Sequence, residues 1–159
     1  DLSASCQVTC DIAPAIHEYE FIIADCTWVE AKQDCLDRGG YLVNIDSQEE
    51  YDYILSKIQE QNLQDKVFYL GGGRSIDSNV YYWIDKNNQF TGDSLNFTDA
   101  WCSGNWMANE PSLKDGDTTE NIMTMFFYKG ENRWVWNDAP NDITQYYSGK
   151  TGYICEYED

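Results

Sequence analysis

The chain has 159 residues, 42% of them hydrophobic and 15% aromatic, enough apolar side chain to pack one domain and unlike the composition of a disordered chain. Ten basic residues against 28 acidic ones leave a net charge of −18, which repels nucleic-acid phosphates and anionic lipid headgroups and suits divalent cations. No apolar run reaches the 18 residues of a membrane span, so insertion into a bilayer is not expected.

Residues 1–17 show no hydrophobic period and read as an N-terminal extension or linker stub ahead of a domain over residues 18–159. In Glu18–Ile23 the residues Tyr19, Phe21 and Ile23 alternate, as in a half-buried strand. Thr27 and Glu30 then form a T-x-x-E capping box, and Trp28, Ala31, Cys35 and Leu36 share one face of the helix that Gly39 and Gly40 close. Residues 41–45 read as a short strand. Ser47 and Glu50 repeat the capping-box pattern before a helix to about residue 60, with Ile54, Leu55 and Ile58 on its buried face. Beyond it lie strands at 67–70, ending in a glycine bend at 71–73, and at 81–84. Some 35 residues rich in Asp, Asn, Ser and Gly follow, anchored by Phe97, Trp101, Cys102 and Trp106; so long a loop inside a domain is usually functional. Strands at 122–127 and 133–137, joined near Lys129 and Gly130, and a last strand at 153–157 complete an α+β pattern.

Six cysteines in a chain this short point to an oxidising compartment. The chain begins at Asp1 and holds no signal-peptide pattern, as expected of a mature or excised piece of a larger, multidomain secreted or cell-surface protein. Asn96-Phe97-Thr98 is a glycosylation sequon, a tripeptide that also arises by chance.

The order of these features resembles the C-type lectin-like domain over nearly the whole chain. The resemblance is carried by Thr27-Trp28-Val29-Glu30-Ala31 with Cys35, by Gly40-Tyr41-Leu42-Val43-Asn44-Ile45, and by Phe68-Tyr69-Leu70-Gly71. Trp106, Glu110-Pro111-Ser112, Trp136-Asn137-Asp138 and Tyr153-Ile154-Cys155-Glu156 continue it. It implies two helices flanking small antiparallel sheets with a long calcium- and ligand-binding loop, and a disulfide between Cys35 and Cys155. The family's inner disulfide does not carry over: Ile122 and Asn141 stand where its cysteines would lie, and an apolar pair or a hydrogen bond is expected instead. Cys6, Cys10, Cys26 and Cys102 then allow three pairings.

The same resemblance implies calcium held by Glu110, Ser112, Glu120, Asn137 and Asp138, with a cis peptide before Pro111. Calcium takes six to eight oxygens, mixing carboxylates with neutral carbonyls, and these residues supply that mixture. Two vicinal hydroxyls of a glycan or glycoprotein would complete the shell, hydrogen-bonded to Glu110, Ser112, Glu120 and Asn137, with Trp134 (or Trp106 or Trp101) stacking on the sugar. Ser112 departs from the family, whose mannose-type members carry Asn there and whose galactose-type members carry Asp. A hydroxyl reaches less far, so weaker calcium binding is expected and the sugar is left undefined. An auxiliary calcium site on Asp115, Asp117 and Asn121 would be disfavoured by Arg74.

Nothing points to catalysis. His17 is the single histidine, no zinc-ligand spacing or nucleophile elbow occurs, and the Gly71–Gly73 run opens no helix. The expected function is calcium-dependent carbohydrate binding; the alternative is a lectin-like domain that recognises protein through its long loop.

Overall fold

The computed structural model describes residues 16–158; Cys6 and Cys10 lie outside them. The two ends of the domain are joined: β1 (Glu18–Ile23) runs antiparallel to β10 (Thr151–Tyr157), from Glu18 opposite Tyr157 to Ile23 opposite Gly152. On its other edge β10 pairs antiparallel with β2 (Tyr41–Leu42) and parallel with β3 (Val67–Gly73). Antiparallel pairing continues from β3 to β4 (Tyr82–Ile84) and β5 (Phe90–Thr91), and from β3 to β8 (Ile122–Tyr128) and β9 (Arg133–Ala139). A separate hairpin, β6 (Lys114–Asp115) with β7 (Thr118–Thr119), lies in the long loop. The α+β fold agrees with the sequence reading, with one parallel pairing in an otherwise antiparallel sheet.

Helices cover both faces of this sheet, and the period of two along each strand divides the core. Phe68 and Leu70 of β3, Met123 and Met125 of β8, Trp136 of β9 and Ile154 of β10 face α2 (Gln48–Glu60) and the long loop. Val67 and Tyr69 of β3, Ile122 of β8 and Tyr153 of β10 face α1 (Trp28–Asp37) and α3 (Thr144–Tyr147). The Cys35–Cys155 disulfide ties α1 to β10 across 120 residues of sequence.

Both halves of the Thr27–Glu30 capping box form: Thr27 Oγ1 accepts from Glu30 N at 3.2 Å, and Glu30 Oε1 from Thr27 N at 2.9 Å. Thr27→Ala should therefore lower the melting temperature by about 2–4 °C, the effect of losing ~1 kcal/mol of cap in a domain this size, read by circular dichroism. The second box forms by half. Ser47 accepts from Glu50 N at 3.1 Å, but the Glu50 carboxylate turns inward to Asp46 N (2.7 Å) and Tyr19 OH (2.5 Å).

The expected bend at Gly71, Gly72 and Gly73 is instead part of β3, buried throughout. A Cβ on Gly71 would lie 2.3 Å from Leu42 O, and one on Gly72 would lie 2.2 Å from Met123 Sδ. These glycines serve close approach of neighbouring chains rather than a turn. The strand expected over residues 41–45 is confined to Tyr41–Leu42, while Val43 and Ile45 are buried in irregular backbone. The short helix α3 carries no clear signal in the sequence.

Where the family's inner disulfide is missing, Ile122 packs with Ala139 and Ile143. Asn141 meets the start of α1, its backbone carbonyl accepting from Trp28 N (2.8 Å) and its Oδ1 from Val29 N (3.1 Å). Both expected substitutes for the cross-link are thus present. Cys26 and Cys102 form no disulfide with another described residue. No helix among the described residues is long and apolar enough to cross a membrane.

Candidate metal site at the loop end of the sheet

Strand β9 carries Asn137 and Asp138 just before its last residue, and their side chains leave opposite faces of the sheet. Asp138 lies on the face of Trp136 and is fully buried; Asn137 pairs with Thr124 on the α3 side. The Asp138 carboxylate is met by the loop: Ser112 N donates to its Oδ1 (3.1 Å), and Leu113 N (2.7 Å) and Tyr81 OH (3.2 Å) donate to its Oδ2. These bonds bring Glu110-Pro111-Ser112 over the strand end, with the Glu110–Pro111 peptide cis, as the resemblance implied. Leu113 sits at φ 73°, a left-handed conformation uncommon for a branched side chain. Its amide on Asp138 and its carbonyl on Glu120 N (2.9 Å) and Arg74 Nη2 (2.8 Å) hold it there.

Carboxylate oxygens of Glu110, Glu120 and Asp138 all lie within 4.8 Å of one another. Ser112 sits among them, its amide donating to Glu110 Oε1 (2.8 Å) and its hydroxyl to Glu120 Oε1 (2.8 Å). Burial, reinforced by the neighbouring Asp138, pushes the Glu110 carboxyl up to about 7. Burial raises Glu120 as well. Asn137 Oδ1 is buried with no hydrogen-bond partner. An orphaned amide oxygen costs about 1–3 kcal/mol of desolvation, and crowded carboxylates cost more unless a cation lies between them. The donors are all oxygens, which fits a hard cation such as calcium better than zinc.

Four of the expected site residues are therefore drawn together, Glu110, Ser112, Glu120 and Asp138, and Asn137 shares a cavity wall with two of them, Glu120 and Asp138. Trp134 is not among them. It is half-buried three residues back along β9, packed on Phe68 (6.4 Å between ring centroids) and Phe127 (6.1 Å), so a stacking role for it is withdrawn. Trp106 is core, its Nε1 donating to Leu95 O at 2.9 Å. Trp101 is partly exposed, edge-on to Trp136, and lines a different groove.

The residues expected at an auxiliary calcium site lie on and just after the β6–β7 hairpin. Asp115 and Asp117 are exposed on the β6–β7 hairpin, and beside it the buried Arg74 side chain donates to the carbonyls of Glu120, Leu113 and Ser78 at 3.0, 2.8 and 3.0 Å. A fixed guanidinium here ties the loop to β3 and opposes a second cation. Asn96 of the sequon is also engaged, accepting from Tyr81 N (2.8 Å) and donating to Asn79 O (3.0 Å).

His17, Glu50 and Glu156 bring ligand atoms equally close at the end of the domain where β1 and β10 start and finish. Here every carboxylate oxygen has a partner. Glu50 accepts from Asp46 N and Tyr19 OH, while Glu156 accepts from Asn44 N (3.0 Å) and meets His17 Nδ1 at 2.5 Å. Burial raises Glu156, and the hydrogen bond to Glu156 raises His17.

A mixed α/β domain with joined ends, and an acidic cluster held by a long loop at the end of its sheet, is a C-type lectin-like binding domain. The family model described as "Lectin C-type domain" matches residues 25–157, and the chain belongs to that family. It is 27% identical over 113 residues to human C-type lectin domain family 4 member A, covering 71% of this chain and 40% of that protein. It is 34% identical over 77 residues to the type-2 ice-structuring protein of Hemitripterus americanus, covering 48% of this chain and 39% of that one. Among solved structures it is similar to SPL-1 in complex with GlcNAc, with a TM-score of 0.60, 29% identity, and 87% and 85% of the two chains covered. The chain spans less than half the length of these curated relatives.

Proposed function

We propose that the domain is a calcium-dependent carbohydrate-binding module of a secreted or cell-surface protein, binding through Glu110, Ser112, Glu120, Asn137 and Asp138. The observation that carries this reading is the cluster of Glu110, Glu120 and Asp138, whose carboxylate oxygens lie within 4.8 Å of one another, an arrangement that is unfavourable alone and favourable around one divalent cation; the orphaned Asn137 Oδ1, on the residue next to Asp138, adds a neutral oxygen. Bound calcium supplies a hard cationic centre with coordination positions left for two vicinal hydroxyls. Glu110 and Glu120 would accept hydrogen bonds from those hydroxyls, and the Asn137 amide would donate one to a hydroxyl oxygen. Ser112 acts by aligning Glu110 and Glu120 through the two bonds described above. The GlcNAc complex of SPL-1 and the family match support a sugar as ligand.

A glycan array probed with and without chelator tests this directly. Binding should disappear on chelation and in Asn137→Asp, which removes the neutral carbonyl and donor amide and adds a fourth carboxylate. Binding that survives both would sink the assignment. Absence of any tryptophan fluorescence response to millimolar calcium would favour the alternative, recognition of protein by the long loop.

A further inference from the structure

We infer that an aromatic wall on α3 binds a second sugar ring of the glycan held at the calcium site; this rests on the sugar-binding reading above. A cavity of about 410 Å³ is lined by Glu120, Asn137 and Asp138 and by the rings of Phe126, Pro140, Tyr146 and Tyr147. Clefts of about 300–1,000 Å³ typically hold ligands well above the size of one ring. A hexose held at the carboxylates would fill the acidic part and leave the aromatic rings open.

The wall is exposed yet rigidly supported. Tyr146 is 62% exposed and meets Tyr147 edge to face at 6.4 Å. Beneath them, Ile143 is 1% exposed, its amide donating to Tyr69 OH at 3.1 Å, and its carbonyl accepts from Tyr146 N and Tyr147 N, both at 3.0 Å. The Asp142 carboxylate accepts from Thr144 N (2.9 Å), and the Tyr147 carbonyl accepts from Thr151 Oγ1 (2.9 Å). With the backbone of α3 held in this way, only the side-chain torsions of Tyr146 are left to be ordered when a ligand covers it. The cavity thus offers both oxygen acceptors and aromatic rings. A sugar chain matches that combination, since each ring has a hydroxyl edge and an apolar C–H face that suits the negative face of an aromatic ring. An apolar chain would be mismatched to the carboxylates, and an acidic peptide would be repelled by them.

The test compares mannose, galactose and N-acetylglucosamine with mannobiose, lactose and chitobiose in saturating calcium, by calorimetry. The disaccharide of whichever sugar binds should bind about fivefold tighter than its monosaccharide, the worth of one aromatic contact. Tyr146→Ala should erase that gain and leave the monosaccharide Kd unchanged, while Tyr146→Phe keeps it. In proton NMR spectra, C–H signals of the outer ring should move upfield with the native protein and not with Tyr146→Ala. A monosaccharide that binds in calcium, with a disaccharide that gains nothing from Tyr146, overturns the inference. Failure of every sugar to bind in calcium overturns the sugar-binding reading itself, and this inference with it.

Discussion

Glu110→Gln should weaken calcium binding by roughly 10- to 100-fold and at the same time raise the melting temperature of the calcium-free protein. Two effects of one carboxylate separate here. On the proposed function it is a ligand when calcium is bound; without calcium it is a partly buried carboxyl beside Asp138, pushed up to about 7. Glu110 in the unfolded chain ionises near 4.3. Between that pH and about 7 the unfolded chain has released the proton and the folded chain retains it, so calcium-free stability falls as pH rises through this window. Glutamine has no proton to lose. Allowing for solvent screening at a partly exposed site, the gain at pH 8 is about 1 kcal/mol, or ~2–4 °C. At pH 5, where Glu110 is mostly protonated in the folded protein, the gain should shrink. Thermal melts in chelator at both pH values, with a calcium titration at pH 8, measure all three quantities. A melting temperature that is unchanged or lower at pH 8 would refute the crowding argument.

Most of the fold is legible in local patterns. The T-x-x-E box, the alternation in β1, and the i, i+4 pair Ile54 and Ile58 in α2 each depend on neighbours in the sequence, and each element lies where it was expected. The readings that changed depend on distant contacts. Glu50 turns away from its capping box because Tyr19 and the Asp46 amide need it. Gly71 and Gly72 are strand residues because Leu42 and Met123 press against them. Helix α3 is too short for a hydrophobic period, and it is held by the Tyr69 hydroxyl and the Asp142 carboxylate rather than by propensity.

The candidate site was legible through the family pattern and not through spacing. Glu110, Glu120 and Asp138 are separated by a long loop and a strand pair, and no local rule brings them together. The sequence could not show how Ser112 bridges two carboxylates, since a hydroxyl gives no hint of its partners. Nor could it separate the tryptophans. Trp134 lies on the same face of β9 as Trp136 and Asp138, and its packing on Phe68 takes it into the core. The tyrosines of α3 escaped notice because their place beside Asn137 is set by the return of the chain after β9.

Removing the Cys35–Cys155 bridge should lower stability by about 4–5 kcal/mol without changing the site. The bridge closes a loop across 120 residues, and the chain-entropy model assigns nearly 5 kcal/mol at 25 °C to a loop of that size. That stabilisation comes from restricting the unfolded chain. The folded domain retains the β1–β10 pairing and the packing of α1, both of which hold its ends together without the bridge. The cysteines are fully buried between α1 and β10, so alanine at both positions also leaves a small cavity. The double variant Cys35→Ala/Cys155→Ala should melt roughly 10–20 °C lower by calorimetry, at about 2–4 °C per kcal/mol for a domain of this size. Well below its melting temperature it should bind calcium within about twofold of the native protein, since none of the site's hydrogen bonds involves either cysteine. A variant that stays folded but loses calcium affinity in step with its stability would mean that the loop site depends on tension from the far end of the fold. The closed hydrogen-bond set around Asp138 and Ser112 argues against that: it is anchored by β9, Tyr81 and Arg74, none of which belongs to α1 or β10.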